Sequence, residues 1–111
     1  MHEVAITRSV LDLVAEAAKG RRVRRVTLEI GELSGVVADA VAFCFPELAR
    51  DTIAAGAELE IRAIAGRARC EACGAEFATP SLLTPCDCGS LHFVRLRGEE
   101  LNVKSLEVEA V

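Results

Sequence analysis

Four of the chain's five cysteines fall in two close pairs, Cys70 with Cys73 and Cys86 with Cys88, and each pair is followed by a glycine, Gly74 or Gly89. Two pairs of thiolates are the donor set of a tetrahedral site, the geometry structural zinc adopts with sulfur ligands. Each pair bends the backbone round one side of an ion, and glycine supplies the positive φ that such turns often need. The first pair brackets Glu71-Ala72, the usual spacing; the second brackets Asp87 alone, which makes a tighter chelate. Structural zinc is the favoured reading. A single rubredoxin-type iron is the second, and visible iron–thiolate absorption would reveal it. Disulfides or free thiols come last, because no secretion signal precedes these pairs and such cysteines mark metal more often than cross-links in a reducing compartment.

A second constellation stands at the start, Met1-His2-Glu3. A terminal amine, the backbone nitrogen of His2 and its imidazole can close adjacent chelate rings on one metal, with the Glu3 amide as a fourth nitrogen. That in-plane set suits Ni(II) or Cu(II) and not structural zinc. The competing reading is a solvated surface histidine, with the Glu3 carboxylate capping the first helix. The other histidine, His92, belongs with the cysteines.

The chain that must position these groups has 111 residues, room for one ordinary domain or two very small ones. With 51% hydrophobic residues, no Trp or Tyr and four Phe, it predicts an ordered fold with an aliphatic core. A net charge of -4 and the lack of basic–aromatic interleaving argue against a nucleic-acid partner. No apolar run approaches the ~20 residues that span a bilayer. The expectation is a cytoplasmic protein with no membrane association. Glu29, Glu32, Glu58 and Glu60 read as strand and loop surface, and the chain offers no nucleophile–base pair or phosphate-binding loop, so no enzyme is expected.

Residues 4–19 predict an amphipathic helix with Ile6, Val10, Leu13, Val14 and Ala17 inward, ended by Gly20. Alternation over 23–31 predicts a strand, entered through the basic run Arg21, Arg22, Arg24 and Arg25, read as a solvated edge with docking of an acidic partner as the alternative. A second helix is expected over 39–51, capped by Asp39, with Val41, Cys44, Phe45 and Leu48 inward and a kink or break at Pro46. Cys44 reads as a buried structural thiol. A second strand covers 57–64, and a last one follows residue 100, with a bulge near Lys104-Ser105 reconciling its two apolar sets. The fold class expected is α+β: a small mixed three-stranded sheet packed with two helices, carrying an inserted zinc-ribbon-like knuckle. The domains expected are 1–66 plus 97–111 for the α/β part and 67–96 for the zinc-binding part, the latter lined by Phe77, Leu82, Leu83, Phe93 and Val94. With helices on one side only, the other sheet face should be polar or meet a partner.

Taken together, Met1-His2-Glu3, the leading helix, Ile30-Gly31-Glu32-Leu33-Ser34-Gly35, Phe43-Cys44-Phe45, the knuckle from Cys70 to Cys88 and the final strand resemble the HypA/HybF family of hydrogenase-maturation nickel metallochaperones. The resemblance covers nearly the whole length. It implies transient Ni(II) binding at the amino terminus through His2, with Glu3 giving its amide and an orienting carboxylate. It implies structural Zn(II) on Cys70, Cys73, Cys86 and Cys88. It also implies delivery of nickel to the large subunit of nickel–iron hydrogenase alongside a GTPase maturation partner, with urease accessory proteins served by some relatives. The departure lies in the second pair, where the family usually has Cys-Pro-x-Cys-Gly-Ser and this chain has Pro85-Cys86-Asp87-Cys88-Gly89-Ser90. Asp39 stays outside the expected nickel ligands. The alternative function is a zinc-ribbon module that binds protein or nucleic acid without delivering metal.

Overall fold

The computed structural model describes residues 2–110, His2 by its backbone alone. Helix α1 (His2–Ala18) leads into β1 (Val23–Gly31), α2 (Ala38–Ala49) and β2 (Glu58–Ile64). Three short strands follow, β3 (Arg67–Cys70), β4 (Glu76–Ala78) and β5 (Phe93–Arg97), before β6 (Leu101–Val108). The first sheet has the order β2-β1-β6, with β2 parallel and β6 antiparallel to the central strand. A parallel neighbour needs a crossover, and α2 supplies it. This is the mixed three-stranded sheet with two helices that the hydrophobic pattern predicts.

Val26, Leu28 and Ile30 of β1 are buried with Val10, Leu11 and Val14 of α1 and Val41, Phe45 and Ala49 of α2. The opposite face is polar and laced with ion pairs: Arg25 to Glu58 at 3.1 Å and to Glu107 at 3.5 Å, and Lys104 to Glu29 at 3.8 Å. Of the expected basic run, Arg25 is thus paired, and Arg22 donates to the Ala55 carbonyl. Thr27 pairs with Ser105 and Leu28 with Val103, so Lys104 is the extra residue of the expected bulge. It keeps Val103 and Leu106 both packed on the core.

Four local expectations are corrected. The inward stripe of α1 is Thr7, Val10, Leu11, Val14 and Ala18, an unbroken three-and-four repeat. Leu13 falls beside that stripe, 54% exposed, in a groove with Leu101, Val103 and Leu106. Pro46 does not end α2. It is exposed, as is Ala42, the residue whose carbonyl it deprives of a donor, so water can reach that carbonyl. Asp39 does not cap α2, which starts after Val37 without any side-chain cap bond to its first turn. Cys44 is half-buried rather than fully buried.

The second sheet, β4-β3-β5, is antiparallel throughout. Phe77 and Phe93 meet edge to face, ring centres 5.3 Å apart. Leu82 is half-buried, whereas Leu83 is 88% exposed and lines nothing.

The chain passes from the first sheet to the second through Gly66 and returns through Gly98, and these two backbones press against the end of β1. A Cβ on Gly31 would lie 1.9 Å from the Gly98 carbonyl oxygen, and one on Gly66 would lie 2.1 Å from that of Thr79. Hydrogen bonds stitch the crossing: Gly31 N–H to Glu100 O at 2.8 Å, Leu33 N–H to Gly98 O at 2.6 Å and Glu32 N–H to Ile64 O at 2.9 Å. Two carboxylates complete it, Glu32 accepting from the Gly66 N–H at 3.0 Å and Glu100 from the Gly98 N–H at 2.7 Å. The Gly31-Glu32-Leu33 segment is therefore a joint between the two sheets.

Candidate metal centre

Strand β3 ends on Cys70, whose N–H donates to Ala75 O at 2.8 Å while the Gly74 N–H returns to Cys70 O at 2.9 Å. Gly74 takes φ 77° to close that turn. The other turn is one residue tighter. Here the Gly89 N–H closes on Cys86 O at 2.7 Å, three residues back instead of four, and Gly89 takes φ 91°. The Cys86 N–H also donates to Ser90 O at 2.9 Å. The single residue between Cys86 and Cys88 is thus accommodated by a shorter turn of the same kind.

The two turns bring all four sulfurs within 4.8 Å of one another. Cys70 Sγ lies 3.6 Å from Cys88 Sγ, and Cys73 Sγ lies 3.6 Å from Cys86 Sγ. Four sulfurs at the zinc–thiolate bond length around a tetrahedral centre stand about 3.8 Å apart. The donor set and spacing fit such an ion. Cys44 and His92 are not part of the cluster.

The thiols' acidities show what the cluster does by itself. Hydrogen bonding from the Cys73 N–H, with the Ala72 N–H and neighbouring thiols assisting, pulls Cys70 down to about 6 against the cost of burial. The Cys88 N–H pulls on Cys86, yet burial and the surrounding thiols outweigh it and push that group up to about 12. Cys88 is raised too: the Ser90 N–H lowers it, but Cys70 and burial prevail. One thiolate is favoured and its neighbours resist a second charge. A cation at the centre removes that penalty, which is why metal binding at such sites releases protons.

The second expected site is placed differently. α1 starts at His2, whose side chain, like all of Met1, lies outside the described residues. Glu3 is buried, and its carboxylate accepts from the Val37 N–H at 3.4 Å, reaching the start of α2.

A sequence profile described as HypA, hydrogenase/urease nickel incorporation, metallochaperone, matches residues 1–108. The chain belongs to the HypA family. It is 51% identical over 110 residues to the hydrogenase maturation factor HypA of Geobacter metallireducens, covering 98% of this chain and all of the relative. A Nostoc hydrogenase maturation factor HypA is 48% identical, over all of this chain and 98% of the relative. The solution structure of the Ni metallochaperone HypA from Helicobacter pylori superposes over the whole of both chains with a TM-score of 0.70 at 26% identity. HypA proteins are metallochaperones and not enzymes, and this HypA-family chain carries a four-cysteine cluster able to hold a metal ion. No helix among the described residues is long and apolar enough to cross a membrane.

Sequence reasoning missed the joint. Gly31, Gly66 and Gly98 are far apart in the chain, and the one signal available was the unexplained Gly-Glu-Leu-Ser-Gly interruption after β1.

Proposed function

We propose that this chain carries Ni(II) during maturation of nickel–iron hydrogenase, binding it at the amino terminus through His2 and Glu3. Structural zinc is held by Cys70, Cys73, Cys86 and Cys88. The family match over residues 1–108, which spans both ends, carries this reading. The thiolates fix the shape of the knuckle and take no part in cargo exchange. The division of labour follows the two sheets: residues 1–66 with 97–111 hold nickel, and 67–96 hold zinc.

The start of α1 supports the cargo site. His2 and Glu3 lie in its first turn, whose N–H groups take no part in the helix's own ladder, so metal binding by these amides breaks none of it. The Glu3 carboxylate, directed at Val37, anchors the terminus against α2 and orients the chelate. An amine–amide–imidazole set holds nickel while its nitrogens stay deprotonated and yields it when protons compete. The thiolate-rich site of the hydrogenase large subunit is then the sink. A GTPase partner acts in the same transfer, urease accessory proteins are a second destination, and the work takes place in the cytoplasm.

X-ray absorption at the nickel edge tests the ligand set. Untagged, zinc-loaded protein with one nickel per chain should show a nitrogen–oxygen shell with imidazole scattering, and His2→Ala should lose that scattering. Sulfur in the nickel shell of the wild type would place the cargo in the cysteine cluster and defeat the proposal.

A further inference from the structure

The second sheet presents arginines in a pattern that costs it stability. In β3 and β5, Arg67 stands directly opposite Arg97, and Arg69 is two residues further along the same face. Ala68 and Cys70 point the other way, towards Phe77 and Phe93, which are their cross-strand partners. Like charges placed directly opposite on antiparallel strands repel. One glutamate answers the three guanidiniums, Glu76, 3.9 Å from Arg67. Among the described residues no acid lies within ion-pair distance of Arg69 or Arg97, both exposed. No helix covers this face, since both helices pack on the first sheet.

The same chain treats its first sheet differently. There Arg25 is met by Glu58 and Glu107, Arg62 by Glu60, and Lys104 by Glu29. In a protein of net charge -4, this face has one facing acid, Glu76, the cross-strand partner of Arg69, and that carboxylate lies against Arg67, so among the described residues neither Arg69 nor Arg97 forms an ion pair.

We propose that the Arg67–Arg69–Arg97 face of the second sheet docks a carboxylate-rich segment of a partner protein. Guanidinium forks pair with carboxylates bidentately and hold a charged strand in register. Nucleic acid fits worse. Single-strand binding uses aromatic platforms, and the knuckle's two phenylalanines are on the opposite face, packed edge to face against each other. A second copy of this chain also fits worse, because its sheet carboxylates Glu29, Glu58, Glu60 and Glu107 are already paired within their own molecule. The inference rests on the strand register and charge of this face, not on the nickel reading.

The test uses zinc-loaded full-length protein and a fluorescent octaglutamate peptide. The wild type should bind it, less tightly as salt rises. Arg69→Gln with Arg97→Gln should weaken binding about tenfold with zinc content unchanged. Arg97→Glu, which replaces the repelling cross-strand pair with an attracting one, should weaken binding further while raising the midpoint of thermal unfolding. Arg21→Gln with Arg24→Gln, the same change in net charge at the start of β1, should bind like the wild type. Failure of the wild type to bind, or equal loss in both double variants, overturns the proposal. So does tighter binding of oligothymidylate through the same arginines, or self-association that Arg69→Gln with Arg97→Gln abolishes.

Discussion

Removing the metal from the four-cysteine site will unfold the second sheet and leave the first sheet and its helices standing. The first has a continuous core from Val10 on α1 to Phe45 on α2. The second buries Ala68 and Cys70 fully and otherwise relies on the half-buried contact between Phe77 and Phe93. So little apolar surface cannot offset the entropy of ordering some thirty residues at about 1–2 kcal/mol each. Structural zinc in small domains supplies an apparent ~10–16 kcal/mol near neutral pH, comparable to the whole stability of an ordinary domain. Amide exchange after chelation should show lost protection at Ala68, Arg69 and Val94, and retained protection across Val26, Leu28 and Ile30. Cys70→Ser should give the same pattern. Simultaneous loss in both sheets, or no loss in either, would contradict the independence of the two units.

Gly31→Ala will be the most damaging substitution outside the cysteines, at about 3 kcal/mol or more. Its Cβ would meet the Gly98 carbonyl oxygen at 1.9 Å and the Glu100 nitrogen at 2.8 Å, both backbone atoms with no rotamer to yield. Relief requires moving β1 away from the return strand. That movement breaks the Gly31–Glu100 and Leu33–Gly98 bonds of the joint. Gly56→Ala is the contrast. Gly56 has φ 75° but open space around its Cβ position, so it pays only the backbone cost of about 1 kcal/mol. Urea unfolding of the two variants checks this, and equal losses would mean that the joint is looser than its contacts imply.

The elements with a long repeat were legible from residue types. Alternation through Val26, Leu28 and Ile30 located β1, and the slip at Lys104 located the bulge in β6. The cysteine cluster was legible because two close pairs with trailing glycines admit few other arrangements. The second sheet was legible only as a zinc-ribbon-like knuckle, without its individual strands. Strands as short as Glu76–Ala78 show too few residues for alternation to register, and their pairing is set by the metal turns. The α1 stripe was misplaced because Leu13 is as apolar as Leu11, yet Leu11 is buried in the core whereas Leu13 lies in an open groove beside β6. The joint was invisible for another reason. A glycine required by a backbone crossing looks in sequence like any glycine in a loop, and the partners of Gly31 lie more than sixty residues away.

The claim at the centre is that two metals occupy two sites, with the cargo at His2. Untagged protein with its native terminus, wild type and His2→Ala, should be titrated with Ni(II) while zinc is counted in the same samples. The account predicts one zinc per chain in both proteins and nickel affinity reduced ~100-fold or more in the variant, the loss of one strong nitrogen ligand. Unchanged nickel affinity in His2→Ala, or zinc lost together with nickel, would contradict it.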